Sequence, residues 1–345
     1  MAIRGVSMAT SQLQKRIEYS HSIGLSTMAG RGFYYPVDTA IDGDGKLYTV
    51  SRSLDGDVRG LRVTVYDLDS EYFGTFGEHG TGDGQFIWPT AIVRDADGNT
   101  YVADEYTNRI VIFDSEWKPR STWGDAGAAP GELDGPSGLA FDVQGDLLVV
   151  DHQNHRVQRF TKDGVYVSGF GTKGAGDGEF ELPWGITVDD NGDILVADWG
   201  NDRIQRFSSD GAFLAKYGKP GRCDGELHRP AAVTVDGEGY LYIADWGNER
   251  VQIFGPDGAF VQGLKGEATD SKWAEDFLRI NVEEAEARSK ADMEKDIDFF
   301  VDDPHEVSSH IEKYFWAPTS VKLDDQGRLY VTESNRHRLQ IYKRA

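Results

Sequence analysis

The stretch ILVADWGNDRIQRF, residues 194–207, reads as a tight hairpin. A run of β-formers ends at Asp198, a short polar loop turns the chain, and Arg203 opens a second β-rich run. The pattern returns as LYIADWGNERVQIF from Leu241, LLVVDHQNHRVQRF from Leu147, TYVADEYTNRIVIF from Thr100 and LYVTESNRHRLQIY from Leu329. A degenerate copy, LYTVSR, starts at Leu47. A unit that recurs this way cannot bury its own faces, so the repeat is the unit of the fold.

Working outward, a proline precedes the first strand of each unit: Pro36, Pro89, Pro136, Pro183, Pro230 and Pro318. Three successive intervals are 47 residues long, the first is 53 and the last is 88. Between Pro183 and Pro230 four strands are legible. GITVD (185–189) turns at Asn191-Gly192 into ILVAD, RIQRF follows, and AFLAKYG comes after Asp210-Gly211. Six such units around an axis predict an all-β protein, a six-bladed β-propeller, with residues 1–345 as one domain. The sixth unit runs out after Tyr342. Gly77, Gly124, Gly171 and Gly218 each stand 12 residues before a unit's proline, and Gly24 stands 12 before Pro36. Residues 16–25 are therefore predicted to supply the outer strand of the last blade, so that an N-terminal strand closes the ring and leaves no free edge.

Composition excludes some partners. The 58 acids against 36 Lys plus Arg give a net charge of −22, the wrong sign for a nucleic-acid backbone. Cys223 is the sole cysteine, so no disulfide framework exists and a reducing compartment suits the chain. The first residues, MAIRGVSMATSQLQKR, lack the apolar run of a signal peptide. No stretch of about 20 apolar residues is present to span a membrane. The expected location is the cytoplasm, with no membrane partner.

Asp-x-x-Asn-x-Arg between β-branched strands, with Gly-x-Gly-Asp-Gly-x-Phe before the proline (80–86 and 174–180), resembles the NHL repeat. The resemblance covers nearly all of the chain outside 265–315. It implies the propeller and leaves the function open. Similar propellers include an amidating lyase, antibiotic-inactivating lyases, and protein- or RNA-binding modules.

Two insertions break the repeat. One, LDGDVRGL (54–61), falls between strands two and three of blade 1; the other, 266–315, precedes the inner strand of blade 6. Both loops emerge on the same face over adjacent blades, as a built-up site would require. The longer insertion reads as helical. Ser271 caps a helix through WAEDFLRINVEEAEARSKADMEKDIDFF with Trp273, Phe277 and Ile280 as its apolar stripe. Asp303-Pro304-His305-Glu306 starts another. The insertion reads as a lid over the channel mouth, as a helical pair packed on the rim, or as a surface for a protein partner.

Aligning the units sorts scaffold from candidate site. The acid ending strand two (Asp104, Asp151, Asp198, Asp245, Glu333) and the arginine after it (Arg109, Arg156, Arg203, Arg250, Arg338) barely vary and read as scaffold. The next position varies: Arg52, Glu105, His152, Trp199, Trp246 and Ser334. A cation, a carboxylate, an imidazole and two indoles around one mouth suit a small-molecule site. The inner-strand ring is small except for Asp38, read either as a salt bridge to Lys322 or as a general base. Tyr34, Tyr35, Trp88, Trp184 and Trp316 flank the prolines as pocket walls or as packing between blades.

His155 and His337 occupy a position where the NHL resemblance itself implies histidine. The amidating lyase it brings in holds zinc with histidines from several blades. Here Asn108, Asp202 and Glu249 stand in other blades, a departure from three-histidine zinc. A mixed set of His152, Glu105 and Asp38 can instead hold one divalent metal on the axis. No Ser-His-Asp signature or nucleotide-binding glycine loop is present. Two functions follow. The first is a lyase or hydrolase acting on a small polar or aromatic molecule. His152 is its acid/base, Glu105 or Asp38 the partner, and Arg52 the anion anchor. Trp199, Trp246, Trp184, Trp88, Tyr35 and Ser334 are its binding residues. The alternative is a non-enzymatic protein- or peptide-binding scaffold.

Overall fold

Asp198 and Arg203 face each other at the mouth of the hairpin, and Ile194 pairs with Phe207 at its far end. The computed structural model describes residues 16–53, 57–294 and 303–345 and builds six four-stranded antiparallel sheets on this unit. The repeat unit at 194–207 is the middle of blade 4, flanked by Ile186–Val188 inside and Phe213–Tyr217 outside. The chain is a six-bladed β-propeller. No helix among the described residues is long and apolar enough to cross a membrane.

Neighbouring blades bury their faces against each other. One core cluster joins Ala91, Tyr101 and Ala103 of blade 2 to Leu139, Leu147 and Val149 of blade 3. The glycine-rich loops drive a large side chain into each such layer, and Phe33, Phe86, Leu133, Phe180 and Leu227 are all fully buried. Gly171 makes room for one of them. It sits at φ +91°, and a Cβ there would lie 2.5 Å from the Phe180 ring.

The ring closes as the glycine spacing required. Ile17–Gly24 pairs antiparallel with Arg338–Arg344, from Ile17 opposite Arg344 to Gly24 opposite Arg338. Arg16 fastens the strand to blade 5 through Asp236 at 2.5 Å and Tyr242 at 3.1 Å.

The turns between strands one and two, on the face away from the insertions, absorb many of the acids. Asp42, Asp95, Asp142, Asp189, Asp236 and Asp324 each accept backbone N–H groups two and four residues ahead, from 2.8 to 3.0 Å. Six of the 58 acids are thus turn chemistry.

The insertion forms α1 (Lys272–Ile280), α2 (Val282–Lys290) and α3 (Pro304–His310). The long helix expected from Ser271 breaks at Asn281, which leaves helical backbone at φ −102° and ψ 76° while both its N–H and its side chain donate to the Phe277 carbonyl. Its last part, 295–302, lies outside the described residues, as do 54–56 of the blade 1 insertion. Both predicted caps form. Ser271 accepts from Ala274 N–H, and Asp303 accepts from His305 N–H. The apolar stripe is only partly buried: Trp273 is 0% exposed, but Phe277 is 41% and Ile280 75% exposed. Trp273 packs between Phe33 and Tyr66, and its Nε1 donates to the Ser70 carbonyl at 2.7 Å. That seats α1 on the outer edge of blades 6 and 1, against the closing strand. Helix α3 reaches the loop face, beside the turn Trp246–Asn248 of blade 5.

Candidate functional site

The invariant acids are scaffold, as aligned. Asp198 accepts from Glu181 N–H, Asn201, Arg203 and Gln205, all within 3.0 Å. Asp151 and Asp245 make the matching sets in blades 3 and 5. Burial pushes all three carboxyls above the usual range, against the pull of these bonds. Blade 2 departs from the pattern. Asp104 is served by Ile87 and Trp88 N–H groups and Thr107, while Arg109 reaches the Thr81 carbonyl instead.

The histidine position is a latch between blades. Asn108, His155, Asp202, Glu249 and His337 all have φ between 52° and 55°. Each accepts the N–H of the residue before the next blade's inner strand: Gly135, Leu182, Arg229, Ala317 and Tyr35, from 2.5 to 3.0 Å. That residue is itself left-handed in all five blades, φ 49° to 67°. Histidine, asparagine and the acids interchange because the position asks for a left-handed residue with an acceptor three or four bonds from Cα. The blade 1 insertion removes this latch, and Trp88 donates to Asp104 of its own blade.

One latch is acid-sensitive. Burial pushes the His337 imidazole down to about 4, between Tyr34 and Tyr35. Unfolded, it titrates near 6.5. The folded chain therefore binds fewer protons between those values, so stability is complete above pH 6.5 and falls toward pH 4. The loss is at most about 1.4 kcal/mol per pH unit. His337→Asn, the residue blade 2 uses, is expected to flatten that part of the stability profile. Urea denaturation at pH 7 and pH 4.5 measures it, and an unchanged slope in the variant would assign the acid loss elsewhere.

Several members of the variable ring are engaged by the neighbouring blades. Arg52 Nε donates to the Pro89 carbonyl at 2.8 Å, lies 4.6 Å over Trp88, and stands 3.7 Å from Glu105. Burial pushes its guanidinium down to about 10, opposed by Glu105 and Asp104, so it stays a cation at neutral pH. His152, 6% exposed, holds the Pro183 carbonyl through Nδ1 at 2.9 Å and meets Trp184 edge-on at 4.9 Å. Its Nε2 has no hydrogen-bond partner among the described residues. Trp199 and Trp246 are neighbours at 6.5 Å, and Arg229 lies over Trp199 at 4.6 Å. Trp88, Trp184, Trp199, Trp246 and Trp316, five of the chain's 8 tryptophans, surround this mouth with Tyr34, Tyr35 and the 71% exposed Tyr106. Ser334 donates its backbone N–H to the Ala317 carbonyl.

Asp38 is elsewhere. It lines the axial channel, a cavity of about 30 Å³, where it accepts from Ile92 N–H at 3.0 Å and Ser320 Oγ at 2.5 Å, with Lys322 at 3.4 Å. Space on that scale holds a water or two and no substrate. Asp38 stands in the ion pair with Lys322 that one of its two readings expected. Asp38, Glu105 and His152 consequently do not converge as one ligand set, and no three metal-ligating groups cluster among the described residues.

The structure adds a pair that the alignment missed. His305 Nδ1 lies 2.6 Å from Glu249, and its Nε2 accepts from Trp316 Nε1 at 3.2 Å. Burial pushes Glu249 up to about 7. The one signal in the sequence was Glu249 itself, the longest acceptor at the latch position.

Residues 133–160, 180–207 and 315–342 match the model of the NHL repeat. The chain carries NHL repeats. No curated protein sequence matches it. Solved structures do, as folds. A streptogramin B lyase aligns with TM-score 0.57 and 12% identity over 97% of this chain and 100% of its own. A catalytically inactive virginiamycin B lyase from Staphylococcus aureus, with quinupristin, gives 0.57 and 11% over 95% and 100%. A protein of unknown function from Bacteroides thetaiotaomicron gives 0.60 and 16% over 95% and 75%. Beyond the three matched repeats, this NHL propeller has three further blades of the same build.

Proposed function

We propose that the mouth on the insertion face binds a small molecule bearing an aromatic ring and performs lyase-type acid/base chemistry on it. The observation carrying this reading is the state of His152. Its Nδ1 donates to the Pro183 carbonyl, which leaves Nε2, beside Trp184, as the ring nitrogen not committed to the scaffold. In an elimination Nε2 takes a C–H proton, the C–H electron pair becomes the new double bond, and the leaving oxygen departs as an anion. Arg52 supplies a fixed cation at the same mouth for that charge. The indoles supply the walls. The lyase neighbours add a fold precedent and no residue assignment.

Quinupristin, present in one of those neighbouring structures, is the first probe. Mass spectrometry separates the chemistries, since elimination within a macrocycle leaves its mass unchanged and hydrolysis adds one water. The reading expects an isomer of unchanged mass and tryptophan quenching on binding. His152→Gln should keep the quenching and lose at least about 100-fold in turnover. Neither product nor quenching would sink the reading for this substrate class. Quenching without product would favour the second reading, a binding scaffold. That alternative has its own support in the solvent-exposed Phe277, Ile280 and Val282 of α1 and α2.

A further inference from the structure

A line of hydrogen bonds ties α3 to the edge of the mouth. Trp316 Nε1 donates to His305 Nε2 at 3.2 Å, His305 Nδ1 lies 2.6 Å from Glu249 Oε1, and Glu249 Oε2 accepts the Ala317 N–H at 2.5 Å. An indole N–H and a backbone N–H can only donate, so both ends of the line point protons inward. His305 Nε2 must therefore carry a lone pair. The ring proton sits on Nδ1 and is given to Glu249, whose two oxygens both accept. The line holds one proton between His305 and Glu249 and has no place for a second.

A second proton breaks a bond wherever it lands. On Glu249 Oε2 it meets the Ala317 N–H. On Oε1 it needs Nδ1 as its acceptor, which moves the ring proton to Nε2, against the indole. On His305 it takes Nε2 directly and leaves an imidazolium facing Glu249. The last two routes break the same bond, from Trp316 to His305. That bond is the longest of the three and the most open to water, since the His305 side chain is 48% exposed and that of Glu249 3%. Burial pushes Glu249 up to about 7, against the pull of His305 and the Ala317 N–H, so the proton arrives near neutrality.

Other charges face this pair. Arg336 lies over the Trp316 ring at 5.2 Å, and Glu333, held by Arg338, faces Glu249 from blade 6. Arg222, Arg250 and Lys265 share a cavity wall with Glu249. Glu306 and His310 are the remaining titratable side chains of α3. The arginines keep their charge across neutral pH.

We propose that His305 and Glu249 form a proton-operated switch for Trp316, holding its indole against α3 when the pair carries one proton and releasing it when the pair carries two. The wall of the mouth beside α3 then changes with pH, while the imidazolium stays fastened to Glu249. The switch belongs to the free protein and does not depend on the lyase reading.

The test follows the indole N–H resonances of the isotope-labelled full chain by NMR from about pH 5 to about pH 8.5, with Trp316→Phe to assign the signal. The Trp316 resonance should move upfield on acidification as its hydrogen bond is lost, with one midpoint between about pH 6 and about pH 8. His305→Gln, at a half-exposed position, should abolish the movement, which separates this pair from His310. Glu249→Gln keeps a carbonyl oxygen for the Ala317 N–H, and its amide donates to Nδ1, so the ring proton is left on Nε2. In that variant the resonance should stay at its acid position throughout. A Trp316 signal that does not move overturns the proposal. So does one that moves equally in His305→Gln, or that titrates like the parent in Glu249→Gln.

Discussion

Replacing Arg203 with alanine is expected to lower the free energy of unfolding by about 3–5 kcal/mol. Asp198 is completely buried, and Arg203 Nε holds it at 2.8 Å. The other guanidinium nitrogens satisfy the carbonyls of Ala175, Gly176 and Glu179. Alanine would leave a buried carboxylate short of its cation and the Ala175 carbonyl without a donor, while Gly176 and Glu179 keep the Glu179 N–H and Gln205 Nε2. Blade 2 supplies the control. Arg109 donates to Thr81 at 3.1 Å, does not reach Asp104, and keeps Nε and Nη2 buried without partners. Arg109→Ala should therefore cost about 1 kcal/mol or less. Urea denaturation of both variants decides it. Equal losses would mean that the ion pair is not what distinguishes blade 4.

The second large effect concerns closure. Deleting the chain through Gly24 removes the outer strand of blade 6 and uncovers the edge Arg338–Arg344. Ile17 and Ile23 are fully buried in the closed ring, and their loss alone costs about 3–6 kcal/mol. The exposed edge also offers unpaired N–H and C=O groups next to Leu339 and Ile341, a template for pairing with another chain. The expected result is a truncated protein that melts far lower and elutes as oligomers in size-exclusion chromatography. A monomer with an unchanged melting temperature would show that the latch is dispensable. Gly24→Ala probes the same seam without truncation. Its Cβ would sit 2.6 Å from the Arg338 Cα, in backbone that cannot yield cheaply.

Periodicity and spacing are local properties of a chain, and they carried most of the architecture. The recurring hairpin, the prolines and the glycine interval to Pro36 specified blade number, strand order and the closing strand, because each unit repeats one backbone path. The scaffold acids were legible too, since a constant residue in diverging copies must serve what the copies share. Side-chain direction between blades was not. Whether Asp38 opens on the mouth or sits in a channel of about 30 Å³ depends on how closely six inner strands approach the axis, which no single repeat encodes. The long helix ends at Asn281, whose backbone leaves the helical region and whose side chain caps the Phe277 carbonyl. His305 and Glu249 are 56 residues apart, and only the docking of α3 on blade 5 makes them a pair. The repeat thus determined the frame by itself, while the chemistry on the frame was decided by contacts between blades and insertion, which are long-range and leave no period in the chain.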